Sequence, residues 1–318
     1  MAQRLSLVVE RGAFVAKSNR GARHEAAKAA AAARQREREQ RRKRFVWAGS
    51  AVAAVLVVVL VLVLVKVVGG GNNNPTAQPA ATTDPAVVQA VTGVPSGVLD
   101  QIALGKVDTL PKAITGQPAL TANGKPLVLY VGAEYCPFCA AQRWGMVVAL
   151  SRFGTFTGLK TTHSSSSDVF PNTATLTFHG STYTSDFLTF QGVETSTNVR
   201  QGNGYAPLDT LTAEQNQIFT KYNAAPFVDA NSAGSIPFID FGNTFISSGA
   251  SISPQLLAGK SANDIAAALS DPSSPIAQAI DGSANAFTSV ICQLTGGQPG
   301  NVCSSAAVTA YQGKLSGG

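Results

Sequence analysis

Four cysteines are the residues of this chain best suited to chemistry, and they fall into two close pairs: Cys136 with Cys139, and Cys292 with Cys303. The first pair forms Cys136-Pro137-Phe138-Cys139 between an apolar run and a segment that reads as a helix. A cysteine at such a junction meets unpaired backbone N–H groups and the positive end of the helix dipole, and both stabilise a thiolate. Proline in the first helical turn is tolerated because its missing N–H has no partner there. Two residues between the thiols let Cys139 attack a mixed disulfide formed at Cys136. Cys136 then reads as the exposed nucleophile and Cys139 as the more buried resolving thiol of a dithiol–disulfide exchange. The same spacing also serves a purely structural disulfide or a zinc site. Zinc would need further ligands from Cys292, Cys303, His163 or His179, none at a standard spacing, so no metal and no cofactor is expected. Cys292 and Cys303 bracket a loop rich in Gly, Pro and Asn and read as a structural disulfide.

The elements that must position these groups follow from hydrophobic patterning. Lys125-Pro126-Leu127-Val128-Leu129-Tyr130-Val131-Gly132 reads as a strand buried on both faces. Residues 140–153 read as a helix with Ala141, Trp144, Val148 and Phe153 on one face, closed by Gly154. Residues 159–164 read as a second core strand. Residues 173–178 and 183–193 read as an inserted β-hairpin turning at His179-Gly180-Ser181. Thr212-Ala213-Glu214-Gln215 and Ser261-Ala262-Asn263-Asp264 are capping patterns that open helices. Ser235–Phe241 is a strand with Pro237 near its start, turned by Gly242-Asn243 into residues 244–247. A helical tail follows over residues 275–292. Trp144 reads as core, His163 and His179 as ordinary polar residues, and Glu134 as a solvated loop carboxylate.

With a Ser235-Ile236-Pro237 segment about a hundred residues after the cysteine motif, the sequence resembles the thioredoxin superfamily. The resemblance implies that Ile236-Pro237 is held cis and faces the motif. Pro237 then acts with Cys136 and Cys139, while Tyr135, Phe138 and Ile236 line a substrate groove. Tyr130 stands where thioredoxins carry a buried Asp, and Tyr135 where they carry Trp. The stretch from Gly132 through Trp144 to Gly154 is similar to a narrower group, the thioredoxin-like family known as domain of unknown function 929, over roughly residues 85–310. The expected fold is therefore α/β and thioredoxin-like, with a β-hairpin insertion and a C-terminal helical extension, preceded by a single transmembrane helix.

That last element comes from composition. The chain has 318 residues, 45% apolar, enough for a sizeable core. Its net charge of +6 is unevenly spread: residues 1–44 carry +9 and the rest −3. The basic character is thus N-terminal, which argues against a nucleic-acid-binding globular domain. Residues 45–65 are uncharged and would reach roughly 30 Å as a helix, the thickness of a hydrocarbon core. Arg41, Arg42, Lys43 and Arg44 before this run place the N-terminus in the cytoplasm by the positive-inside rule. The expected organisation is a basic cytoplasmic arm (1–44), a span in the lipid bilayer (45–68), a flexible linker (69–86) and an extracytoplasmic domain (87–318). The expected function is a membrane-anchored thiol–disulfide oxidoreductase. Its partners would be the thiols and disulfides of secreted or membrane proteins, together with a further redox partner in the membrane or beyond. The alternative is a tethered binding or scaffold module without turnover.

Overall fold

The computed structural model describes residues 81–315. The expected basic arm, the span at 45–68 and the linker up to residue 80 lie outside the described residues. The described part opens with α1 (Pro85–Thr92), capped by the Asp84 side chain, and α2 (Ser96–Ile102). The short strands β1 (Lys112–Ala113) and β2 (Thr121–Ala122) lead into β3 (Lys125–Gly132) and then α3 (Pro137–Ser151). Seven strands follow: β4 (Gly154–Thr157), β5 (Lys160–His163), β6 (Ala174–Thr177), β7 (Thr182–Ser185), β8 (Thr189–Glu194), β9 (Ser196–Gln201) and β10 (Gly204–Pro207). The chain continues through α4 (Ala213–Tyr222), β11 (Phe238–Phe241), β12 (Phe245–Ser248), α5 (Ala262–Ala268), α6 (Pro275–Leu294), α7 (Gly300–Cys303) and α8 (Ala306–Leu315).

The main sheet has the order β1-β12-β11-β3-β2, with β8 pairing in parallel along the rest of the β3 edge. Pairings β3–β11, β11–β12 and β12–β1 are antiparallel. Side chains of β3 alternate between two cores, as the period of two requires. Val128 and Tyr130 face a core with α1, α3 and α6, while Leu127, Leu129 and Val131 face Ile218 and Tyr222 of α4. The strand that ends at the cysteine motif is therefore held on both faces. Both capping patterns form reciprocal boxes, Thr212 with Gln215 and Ser261 with Asp264. Gly145 lies mid-helix in α3 because a Cβ there would sit on Ser283 Oγ of α6.

The thioredoxin-like fold with a β-hairpin insertion expected from sequence needs correcting. The described residues form a mixed α/β architecture with one six-stranded mixed sheet and three two-stranded sheets. Among them no helix is long and apolar enough to cross a membrane. The segment read as a second core strand, β5, pairs only with β6 and stays out of the main sheet. The parallel neighbour of β3 is β8, which the sequence places in a hairpin arm. Residues 183–193 are not one strand. The Ser185 side chain accepts from the N–H groups of Phe187 and Leu188 and donates to Phe153 O, and this local turn ends β7 before β8 begins. Nor do β6 and β7 pair about residues 179–181, since β6 pairs with β5 and β7 with β4. The reversal lies instead at residues 164–173, where Ser164 Oγ accepts from Thr173 N and donates to Phe170 O. Gly158 and Gly180, both at positive φ and close together, interrupt the ladder between the two pairs.

Candidate functional site

Cys136 is the N-cap of α3, with Pro137 in the first turn. Its Sγ accepts the N–H of Cys139 at 3.3 Å and lies 3.9 Å from Ile236 O. The Ile236–Pro237 peptide is cis, as the family resemblance implies, and Pro237 immediately precedes β11, the antiparallel neighbour of β3. The loop holding Pro237 thus rests against the first cysteine. Cys136 and Cys139 are both free thiols, and both are buried; Cys136 keeps 6% exposure and Cys139 none.

The two aromatic groups expected to line a groove belong to the cysteine segment itself and are partly exposed, forming an aromatic rim around it. Phe138 is 40% exposed and meets Phe170 edge-to-face. Tyr135 is half-buried and stacks on Tyr205 of β10, with ring centroids 4.0 Å apart and planes 3° from parallel. The Arg200 guanidinium lies 4.7 Å from the Tyr205 centroid. Ile236 is half-buried beside Pro237. Cys292 and Cys303 are disulfide-bonded, joining α6 to α7. Trp144 is fully buried, and its indole N–H donates to Ala174 O. Glu134 is buried rather than solvated, held in place by its N–H donating to Ser196 O. His163 Nδ1 lies 2.9 Å from Ser164 O, and His179 pairs with Asp209 at 2.7 Å, so neither histidine joins the cysteines.

Sequence reasoning missed the charges beneath the site. Arg143, one turn after Cys139 on α3, is fully buried and forms an ion pair with Glu194 of β8 at 2.9 Å. The same guanidinium nitrogen faces Tyr130 Oη and Ala133 O, and Nε faces Thr175 Oγ1. The signal was present in the sequence: a carboxylate closing a run of strand residues, Thr189-Phe190-Gln191-Gly192-Val193-Glu194. In a parallel pair the carboxyl ends of strands are where ligands and catalytic groups gather.

These surroundings drive the two thiols apart. Hydrogen bonding from the Cys139 side chain lowers the pKa of Cys136 against the opposing effect of burial, helped by the Cys139 and Phe138 amides and by Arg143. Burial pushes Cys139 well above its ordinary value, and the nearby Cys136 and Glu194 charges add to that while Arg143 opposes it. Burial also raises Glu194 to about 7 despite Arg143. One thiol is thus disposed to ionise and its neighbour to keep its proton. That asymmetry suits nucleophilic attack followed by resolution.

Comparison with known families gives one finding: a model described as "Domain of unknown function (DUF929)" matches residues 114–293, more than half of the chain. No curated protein and no solved structure matches.

Proposed function

Because the chain belongs to the family described as domain of unknown function 929, which carries no assigned reaction, we propose a function from the site itself: a thiol–disulfide oxidoreductase acting on protein substrates. Cys136 attacks, Cys139 resolves, and the Ile236–Pro237 loop and the aromatic rim receive the substrate chain. The observation that carries the reading is the opposed environment of two adjacent thiols at one helix N-terminus, with Cys136 Sγ held by an N–H donor and touching the loop before Pro237. The location is part of the same proposal. The Cys292–Cys303 bond supports a domain outside the cytoplasm, where disulfides persist. The uncharged run at 45–65 supports attachment at the cell membrane.

The test is disulfide exchange by the reduced full chain with a peptide disulfide, with wild type compared to Cys136→Ser and Cys139→Ser. The reading predicts that Cys136→Ser abolishes exchange and that Cys139→Ser traps a mixed disulfide at Cys136. Exchange that survives loss of Cys136 would end it. A second reading, a binding module without turnover, is favoured by the 6% exposure of Cys136. It predicts that wild type is as slow as either variant.

A further inference from the structure

The proposed reaction leaves one proton without a destination. In the resolving step a substrate sulfur is already bonded to Cys136 Sγ. Cys139 must become a thiolate and form the Cys136–Cys139 bond, while the bond from Cys136 to the substrate breaks. The substrate thiolate departs with the electron pair and takes a proton from water. Cys139, with no exposed surface, has no such access to water. A lone thiolate in that position would also carry the full cost of a buried charge.

The charges around it offer a way out. Arg143 is the single cation in this buried cluster. It is surrounded by Glu194 from β8, Tyr130 from β3, Glu134 from the loop after β3, and the two thiols at the head of its own helix. Arg143 also sits four residues after Cys139, on the same side of α3. The network is incomplete by one donor and one acceptor: Arg143 Nη2 and Glu194 Oε1 are both buried without a hydrogen-bond partner. One carboxylate oxygen is therefore free to take a proton, and one N–H is free to turn to another anion.

We propose that Cys139 and Glu194 share Arg143 as a counter-ion: as Cys139 loses its proton, Glu194 gains one on Oε1, so that Arg143 faces one negative charge before and after. The inference rests on the oxidoreductase reading. Glu194 acts through Arg143 and is a positioning residue rather than a catalytic one. Once the Cys136–Cys139 bond has formed, no thiolate competes for Arg143, and Glu194 gives up its proton as the released substrate thiolate takes one, so that the protons balance. The protein dithiol is oxidised and the substrate disulfide reduced, with no further reactant required.

The experiment follows the Glu194 carboxyl in the full chain carrying Cys136→Ser, by carbon NMR with labelled glutamate, from pH 5 to pH 11, with and without Cys139→Ser. Glu194→Gln identifies the signal. Charge sharing predicts that the Glu194 signal shifts a second time, back toward its protonated position, as Cys139 ionises, and that this step is absent when residue 139 is serine. A second measurement titrates Cys139 by thiolate absorbance in Cys136→Ser with and without Glu194→Gln, where the midpoint should fall by ~1 unit or more once Arg143 serves the thiolate alone. A Glu194 signal that does not respond to Cys139 ionisation overturns the inference, and a Cys139 midpoint unmoved by Glu194→Gln overturns it as well. Disulfide exchange is read separately. Wild-type exchange with an unresponsive Glu194 signal refutes charge sharing alone, and a responsive signal without exchange supports the shared charge while refuting the oxidoreductase reading.

Discussion

Asp281 allows a prediction independent of the redox site. It lies in α6 with no exposed surface, and neither carboxylate oxygen has a hydrogen-bond partner. Burial alone pushes its pKa from 3.8 up to about 8. The folded state therefore holds the Asp281 proton far more tightly than the unfolded chain does. The resulting stabilisation is fully present below about pH 4 and is lost as the pH rises through about 8. At about 1.4 kcal/mol per unit, the shift of about four units corresponds to about 5 kcal/mol, of which about 4 kcal/mol is lost between pH 5 and pH 8. Asp281→Asn keeps the shape and cannot ionise. Urea unfolding of the full chain should thus show wild type losing stability relative to the Asn variant by about 4 kcal/mol from pH 5 to pH 8, with the variant the more stable at pH 8. A difference between the two proteins that stays constant across that range would refute the reasoning, because it would mean that Asp281 is ionised and compensated in the fold.

Three further outcomes follow from the packing and the rim. Gly145→Ala should destabilise by about 1–3 kcal/mol despite the better helix propensity of alanine, because the new Cβ meets Ser283 Oγ, and Ser283→Gly should recover much of the loss in chemical unfolding. Cys303→Ser should cost about 3 kcal/mol by opening the cross-link to Cys292, eleven residues away, while leaving peptide-disulfide exchange intact. Phe138→Ala should change unfolding free energy by less than about 0.5 kcal/mol, since the ring is 40% exposed, yet raise KM for a protein disulfide without altering the rate with a small dithiol.

The parts of the fold set by local chemistry were readable from sequence. The strand Lys125–Gly132 and the two capping boxes agree with the expectation because their signals, continuous apolarity and a serine or threonine three residues before its partner, act within a single element. The region between α3 and α4 was misread for the same reason in reverse. The side chain of Ser185 competes with the ladder, and Gly158 and Gly180 break it in concert, so strand ends there depend on contacts across the insertion. Helices α1 and α2, short and weakly patterned, gave no signal strong enough to name. At the site, the cysteines stand out by their types and spacing, whereas Pro237 and the rim aromatics are singled out by the family resemblance. Glu194 and Arg143 are not, because a charge in a buried strand and another in a buried helix explain each other only when β8 is known to lie beside β3.

The most direct test of the central claim is to equilibrate the full chain in dithiol–disulfide buffers of graded potential and quantify the Cys136–Cys139 bond by mass spectrometry. An oxidoreductase predicts reversible opening and closing with a midpoint between about −270 and −120 mV, with Cys292–Cys303 unchanged across the series. A Cys136–Cys139 bond that never forms, or that stays closed well below that range, would contradict it.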